Sequence, residues 1–333
     1  MSTTQRVRTW TSTGRVVRRI VTAAAVGGGG VGVLGAAAVG LLFTEIRLAR
    51  HSIGVSEEVP PVADGRYGRF LTPPADRGPL RLAFLGDSTA AGQGVHRAGE
   101  TPGALVASGL AAVAESPVEF RNVALPGACS DDLARQVALL LADPAGRPDV
   151  CVVMIGANDV THRVPPTRSV RLLAEAVCAL REAGCEVVVG TCPDLGTIEP
   201  VWQPLRWVAR RLSRQLAAAQ TVAVVESGGR TVSLGALLGP EFEARPRELF
   251  GPDSYHPSVA GYATAAMAVL PTVCAALGLW PADRDRPGVL AADGDVPVEQ
   301  VAAEAAAADG TEVVGRPARR RLGLSVRAGR QSG

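Results

Sequence analysis

Residues 80 to 89 read LRLAFLGDST, an apolar run that stops at the polar turn Gly86-Asp87-Ser88. Continuous apolar runs, in which polar and apolar residues do not alternate, are typical of strands buried on both faces of a sheet. Comparable runs recur further along the chain, at 118–124, 150–155, 186–190 and 222–226. Together with 81–85 they predict five strands.

Helical patterns separate these predicted strands. They cover 101–115, 131–142, 168–183 and 204–219, and a last helix begins near Ser258. Strands that alternate with helices form parallel sheets through right-handed crossovers. The chain is therefore predicted to belong to the α/β class, as a three-layer α/β/α sandwich around a five-stranded parallel sheet. Functional residues are expected at the carboxyl edge of that sheet.

Short polar turns follow the predicted strands. The first strand ends in Gly86-Asp87-Ser88, the second in Pro126-Gly127-Ala128 and the third in Gly156-Ala157-Asn158-Asp159. Asp253-Ser254-Tyr255-His256 precedes the last helix. Each turn alone is common as a loop or a helix cap. Because all of them reach one edge of the sheet, their combination indicates a single site.

The order of these turns resembles the SGNH hydrolases, also called GDSL esterases or lipases, over roughly residues 80–279. The residues that match the motifs of that family are Ser88, Gly127, Asn158, Asp253 and His256. Thr89 stands where the GDSL pattern has leucine, outside the proposed chemistry. The resemblance implies a flavodoxin-like strand order, with Ser88 as nucleophile. It also implies hydrolysis of acyl esters with neither a metal nor an organic cofactor.

His256 is the best candidate for the base that a serine nucleophile needs. A serine hydroxyl is a weak nucleophile at neutral pH, and histidine usually activates it. Of the four histidines, only His256 has a carboxylate, Asp253, three residues before it. In a turn this spacing lets Asp253 bind one ring nitrogen and leave the other free for Ser88.

Three groups are candidates for an oxyanion hole. They are the backbone N–H of Ser88 at a helix start, the backbone N–H of Gly127, and the side-chain amide of Asn158. Donors aimed at the developing negative oxygen are worth about 3 kcal/mol each. Asp87 and Asp159 are expected to hold the two turns in place and to take no part in bond making.

The composition excludes several other mechanisms. All 34 basic residues are arginine, so chemistry that requires a lysine amine is absent, including Schiff bases and the phosphate-binding lysine of P-loops. A net charge of +2 gives no strong cationic field for nucleic acid, which is not expected as a partner. The cysteines and histidines have no zinc-site spacing, and no metal is predicted.

Residues 20–43 contain no charged residue, and the segment is long enough to cross a bilayer, which takes roughly 20 residues. Arginines cluster in residues 1–19, so the positive-inside rule predicts a cytoplasmic N-terminus and a catalytic domain outside the cytoplasm. The alternative is an export signal, removed near Ala36-Ala37-Ala38, which would leave a secreted protein. Both interpretations export the domain.

The remaining segments are assigned by composition. Residues 44–79 are rich in proline, glycine and charge, which predicts a spacer before a hydrolase domain at 80–280. Residues 281–333 change from acidic and alanine-rich to arginine-rich, which predicts a mobile tail.

Some further residues are open to two interpretations. Trp202 and Trp207 could form an acyl-binding wall or seat the next helix on the sheet. Arg206, Arg210 and Arg214 follow i, i+4 spacing and are interpreted as a solvated helix face. Six cysteines permit disulfides in an exported domain, with Cys129–Cys192 the pair to test and Cys151 and Cys178 as buried thiols.

Three functions follow from this reading of the sequence. The first is a membrane-anchored serine esterase for acyl or acetyl esters of lipids or envelope glycans. The second is an acyltransferase with the same catalytic triad, since both proceed through an acyl-enzyme. The third is a catalytically silent module that binds the envelope.

Overall fold

A computed structural model of the protein describes residues 58–75, 78–143, 146–198, 201–279, 289–291 and 312–314. The predicted basic N-terminus at 1–19 and the membrane segment at 20–43 lie outside the described residues.

One mixed sheet organises the fold, and its strands run in the order β1-β3-β2-β4-β5-β6-β8-β7. The strands are β1 (Gly65–Tyr67), β2 (Leu80–Gly86), β3 (Val118–Asn122), β4 (Val150–Met154), β5 (Glu186–Gly190), β6 (Arg230–Val232), β7 (Val289–Ala291) and β8 (Glu312–Val314). Strands β2 to β6 pair in parallel, as predicted. Counted from β2, their spatial order is 2-1-3-4-5, which is the flavodoxin-like order.

Helices cover both faces of the sheet. They are α1 (Ser88–Ala91), α2 (Pro102–Ala114), α3 (Leu133–Leu141), α4 (Ala157–Thr161), α5 (Pro166–Glu182), α6 (Leu205–Glu226), α7 (Leu234–Ala244), α8 (Pro246–Leu249) and α9 (Val259–Ala276). On β2, Leu82 and Phe84 pack with α2 and α9, whereas Ala83 and Leu85 pack with α3 and α5. Alternate residues of one buried strand therefore serve two cores, which confirms the three-layer arrangement.

The predicted strand at 222–226 is wrong, because these residues form the last turn of α6. The buried positions Ser213, Leu216, Gln220 and Val224 continue at helical spacing, so the apolar run extends a helix face instead of starting a strand. The fifth parallel strand is β6, which follows the turn at Gly228-Gly229.

The sheet also extends beyond the predicted domain limits. Strand β1 lies in the segment assigned to a spacer and pairs antiparallel with β3. The backbone of β8, in the segment assigned to a mobile tail, pairs antiparallel with β6, and β7 pairs with β8. The sheet is therefore mixed and not purely parallel. Edge strands present unpaired N–H and C=O groups. At the two edges of the parallel sheet, β1 pairs with the backbone of β3 and β8 pairs with the backbone of β6.

Among the described residues, one helix is long and apolar enough to cross a membrane. It is α9, and 44% of its apolar stretch is buried inside the domain. Its buried residues Val269 and Val273 belong to the core that α2 and β2 share. A buried core helix passes the same length and hydropathy criteria as a membrane span, so α9 is weak evidence for membrane insertion.

Candidate active site

The turn after β2 brings Ser88 to the carboxyl edge of the sheet. Gly86 has φ +133°, and a Cβ at this position would lie 1.8 Å from the carbonyl oxygen of Met154 on β4. Only glycine permits this close approach of two backbones. Asp87 then caps α1 by accepting a hydrogen bond from the backbone N–H of Thr89 at 2.9 Å. Ser88 is the first residue of α1 and is largely buried.

Ser88, His256 and Asp253 are connected by hydrogen bonds. The Nε2 atom of His256 lies 2.9 Å from Oγ of Ser88, and its Nδ1 atom lies 2.5 Å from Oδ2 of Asp253. The structure thus brings together residues 168 positions apart in the sequence. The side chains of His256 and Asp253 are about a tenth exposed, so this chain of hydrogen bonds is shielded but reaches solvent.

The turn from Asp253 to His256 is held by hydrogen bonds between the Asp253 carboxylate and the backbone of the turn. Oδ1 of Asp253 accepts hydrogen bonds from the N–H groups of Tyr255 and His256, at 3.0 and 2.9 Å. Ser254 has φ +54°, a left-handed conformation that keeps the turn tight. The N–H of Gly251 donates to the carbonyl of His256 at 2.8 Å. The carboxylate therefore lies beside the imidazole before any substrate binds.

Opposing effects act on the Asp253 carboxyl. Burial raises its pKa, but the hydrogen bonds from the His256 side chain and from the backbone of Tyr255 and His256 lower it, and the net pKa lies below the ordinary value. Asp253 is consequently ionised at neutral pH. An ionised carboxylate at this position favours a proton on the Nδ1 atom of His256, which leaves Nε2 available as an acceptor.

The turns that carry Gly127 and Asn158 lie next to each other. The N–H of Leu125 donates to the carbonyl of Gly86 at 3.0 Å, which keeps the segment after β3 alongside the Ser88 turn. Nδ2 of Asn158 donates to the carbonyl of Ala128 at 3.0 Å, using one of its two amide hydrogens. Gly127 is exposed with φ +80°, a conformation that side chains disfavour.

Asp159 connects the start of α4 to Ser130, in the segment that follows Gly127. Its Oδ1 atom accepts from the N–H of Ser130 at 3.1 Å, and its Oδ2 atom accepts from Oγ of Ser130 at 2.7 Å. Ser130 in turn shares a hydrogen bond with Ser169 of α5 at 2.9 Å. The structure therefore agrees with the structural role expected of Asp159, which is buried.

Asp87 also has a structural role, and its carboxyl has a perturbed pKa. Burial raises the pKa of Asp87 to about 6, against the lowering effects of the Thr89 hydrogen bond and of His256. A buried carboxyl with a raised pKa at the site edge is a source of pH dependence, because its ionised form lacks solvation.

An open cleft begins at Ser88 and runs toward α7. Its walls are mostly apolar and include Leu195, Ile198, Leu234, Leu238 and Phe242. Ligand sites typically combine apolar walls with a few polar groups. The cleft has the lining to hold an apolar group next to the Ser88 hydroxyl.

The interpretation of the α6 arginines as a solvated face is wrong. Nε of Arg206 and Nη2 of Arg210 donate to the carbonyl of Gly196, at 2.6 and 3.2 Å. Nε of Arg214 donates to Oδ2 of Asp194 at 3.1 Å, and the Asp194 side chain is 2% exposed. The arginines therefore fix the loop that forms one wall of the cleft. The i, i+4 spacing placed them on one face of α6, but nothing in the sequence indicates which loop lies opposite.

The two tryptophans fit neither sequence interpretation, since Trp202 and Trp207 both point largely into solvent. The apolar contacts in this region come from Leu195, Ile198 and Val201 instead.

Cys129 and Cys192 are both free thiols in the structure, so the predicted Cys129–Cys192 disulfide is not formed. Cys129 contacts His162, with Sγ 3.6 Å from Nδ1, whereas Cys192 is buried beneath Gly156. Of the two cysteines predicted to be buried thiols, Cys151 is buried but Cys178 is exposed.

Comparison with known proteins identifies the class. Residues 84–264, more than half of the chain, match the GDSL-like lipase/acylhydrolase family. The chain is 43% identical over 256 residues to a GDSL-like esterase of Mycobacterium tuberculosis, covering 74% of this chain and 79% of that protein. The protein belongs to the GDSL-like lipase/acylhydrolase family and is an enzyme of the ester-hydrolysing class.

Solved structures of low sequence identity also match. A catalytic mutant of an acetylxylan esterase from Geobacillus stearothermophilus is 20% identical with a TM-score of 0.46, covering 59% of this chain and 95% of that chain. TesA is 23% identical with a TM-score of 0.44, covering 60% and 100%.

Proposed function

We propose that the protein is a serine esterase in which Ser88 is the nucleophile, His256 the general base and Asp253 the residue that orients the base. The supporting observation is the continuous hydrogen-bond chain from Oγ of Ser88 through both ring nitrogens of His256 to Asp253. Each member has the contact its role requires, namely nucleophile to base and base to carboxylate.

In the proposed reaction, Oγ of Ser88 attacks the ester carbonyl carbon while Nε2 of His256 takes the hydroxyl proton. The negative Asp253 stabilises the resulting imidazolium. Collapse of the tetrahedral intermediate breaks the ester C–O bond, and His256 gives its proton to the departing alcohol. Water then attacks the acyl-serine by the same route, which releases the acid and restores Ser88.

The proposed oxyanion hole consists of the backbone N–H groups of Ser88 and Gly127 and the side-chain amide of Asn158. Ser88 begins α1, where backbone N–H groups lack helical partners, and Asn158 lies in the first turn of α4. The bond from Asn158 to Ala128 holds the amide beside the Gly127 turn. Fixed donors of this kind lower the barrier because they need no reorganisation during the reaction.

The proposed substrate is an ester of a lipid or an envelope glycan with an apolar acyl group. The apolar cleft that starts at Ser88 supports this assignment, because an acyl chain attached to the Ser88 oxygen could extend into it. No metal or organic cofactor takes part in the proposed steps, since base, nucleophile and oxyanion donors are all supplied by the chain.

The proposed location is outside the cytoplasm, with residues 20–43 as a membrane anchor or, alternatively, a cleaved export signal. The uncharged length of this segment and the arginines before it support the assignment. Residues 44–79 and 281–333 would then flank the hydrolase domain at 80–280. Strand β1 from the first of these segments and strands β7 and β8 from the second extend the sheet at its edges. A C-terminal reporter that is active only in the cytoplasm would show the opposite orientation.

The catalytic assignment is tested with a fluorophosphonate probe and short-chain aryl esters. The full-length protein should become labelled and hydrolyse the esters, and Ser88→Ala should lose both, with Ser227→Ala at the C-terminal cap of α6 as control. Absence of labelling and hydrolysis in the unsubstituted protein would contradict the proposal. Acyl transfer to an added alcohol in preference to water would assign the same triad to an acyltransferase.

A further inference from the structure

Two large aromatic side chains are exposed beside the cleft. Trp202 is 76% exposed and Trp207 is 59% exposed. Val201, which precedes Trp202, and Leu205 belong to the apolar cluster of Ala157, Leu195 and Ile198, and those three residues line the cleft. The segment that carries the tryptophans therefore packs on one wall of the cleft.

Positive charge accompanies these aromatic rings. The guanidinium carbon of Arg211 lies 5.8 Å from the ring centroid of Trp207, and Arg214 exposes 63% of its side chain while binding the buried Asp194. The sequence has no acidic residue between positions 201 and 225. Together these residues define the tryptophan–arginine face: Trp202, Trp207, Arg211 and Arg214.

Acidic groups next to this face are already engaged by other arginines or buried. Glu243 of α7 pairs with Arg206 and Arg210, and Asp194 lies beneath Arg210 and Arg214. The partners of these two acids are Arg206, Arg210 and Arg214, and Arg211 is not among them. Because the four arginines, Arg211 included, face only these two acids among the described residues, the row keeps a net positive charge.

We propose that the tryptophan–arginine face docks the enzyme onto an anionic phospholipid surface. Tryptophan favours the boundary between headgroups and acyl chains, because its ring is apolar and its N–H is polar. Arginine places its aliphatic part along an apolar surface and its guanidinium among phosphates. The two residue types together fit a charged lipid surface better than a neutral one.

The location of this face beside the cleft gives docking a consequence for catalysis. A bilayer held against Trp202 and Trp207 would place lipid esters near the entrance to Ser88. The docking itself does not depend on the esterase assignment, so it is measured by a signal other than hydrolysis.

The experiment uses the full chain with Trp10→Phe and Trp280→Phe, so that Trp202 and Trp207 are the emitting tryptophans. Vesicles of phosphatidylcholine with about 30% phosphatidylglycerol carry bromine on their acyl chains, which quenches tryptophan within the bilayer. Docking predicts at least about two-fold quenching with a blue shift, much less with pure phosphatidylcholine, and reversal in about 0.5 M NaCl. Because only Trp202 and Trp207 emit, insertion of the N-terminal segment alone does not quench the tryptophan emission.

Charge reversal provides the matched control. Arg211→Glu with Arg214→Glu should abolish the quenching, whereas Arg121→Glu with Arg135→Glu, two exposed arginines on β3 and α3, should leave it intact. Ser88→Ala should quench like the parent, which separates docking from catalysis. Equal emission in anionic and neutral vesicles would overturn the proposal. A blue shift that grows with protein concentration in the absence of vesicles would overturn it too, by showing that a second copy covers the face.

Discussion

Asp253 binds His256 through both the ring and the backbone of that residue. One carboxylate oxygen lies 2.5 Å from Nδ1 of the imidazole, and the other accepts the backbone N–H of His256 at 2.9 Å. The double contact fixes the ring relative to its own main chain. Orientation of the base is therefore built into a four-residue turn and does not require a distant element of the fold.

Asp253→Asn tests this orientation. The amide can still accept hydrogen bonds from the turn, but it no longer stabilises a positive imidazole and can favour the wrong tautomer of His256. We expect kcat to fall about 10³- to 10⁴-fold with little change in KM, measured on an aryl ester. Asp131→Asn, which removes an exposed carboxylate paired with Arg168, should remain close to the parent. A decrease of less than ten-fold for Asp253→Asn would contradict the role of Asp253.

Asn158→Ala tests the oxyanion hole. Removal of one donor to the transition-state oxygen should lower kcat about 10²- to 10³-fold while KM changes little, since the ground-state ester gains less from that donor. Thr161→Ala on the same helix, which loses only a hydrogen bond to the Asn158 carbonyl, is the control. Equal losses in the two variants would indicate that Asn158 acts only by holding the Ala128 turn.

Asp87→Asn tests the buried carboxyl beside the nucleophile. The pKa of Asp87 is raised to about 6 in the folded protein, so the folded state binds this proton more tightly than the unfolded chain does. The contribution of Asp87 to stability is therefore most favourable below pH 4 and declines as the pH rises toward 6. Between pH 4 and pH 7 the loss is about 2 kcal/mol.

Guanidinium unfolding at these two pH values measures the effect. The free energy of unfolding of Asp87→Asn, relative to the parent, should improve from pH 4 to pH 7 by about 2–3 kcal/mol, because the amide carries no charge at either pH. Asp131→Asn should show the pH dependence of the parent. A constant difference between Asp87→Asn and the parent at both pH values would show that Asp87 does not titrate in this range.

Gly239→Leu tests the cleft as the acyl site. Gly239 lines the cleft on α7, has no positive φ, and a Cβ there would meet Asp194 and Thr197 at 3.8 and 4.0 Å, which is ordinary van der Waals contact. We expect the ratio of kcat/KM for hexanoyl to acetyl aryl esters to fall at least about ten-fold, since the leucine occupies space the longer chain needs. Gly99→Leu, at a glycine with open space around it, should leave the ratio as in the parent. An unchanged ratio in Gly239→Leu would place the acyl chain elsewhere.

The candidate site was predictable from the sequence because each of its turns is encoded locally. A short apolar run followed by glycine and a polar residue marks the carboxyl end of a buried strand, and parallel strands bring such ends to one edge. The spacing of Asp253 and His256 permits their pairing, and the other turns at the same edge of the sheet favour it over a helix cap beside a surface histidine. The meeting of His256 with Ser88, 168 residues away, followed from chain order and the family resemblance.

Other features were decided by contacts that no local pattern contains. The run at 222–226 suits a strand and a helix equally, and the helix forms because its buried positions continue the face set by Ser213 and Leu216. The arginines of α6 look solvated in sequence, but the fold places the buried Asp194 and the Gly196 carbonyl against them.

By itself the sequence determined the α/β alternation, the ends of the first four parallel strands and the candidate residues of the site, because periodicity and turn chemistry depend on near neighbours. Only the tertiary structure decided how the sheet edges are completed, which loop the arginines hold and which face Trp202 and Trp207 leave exposed. These outcomes depend on the packing of segments far apart in the chain, where shape and hydrogen-bond partners select one arrangement among several that the local sequence allows.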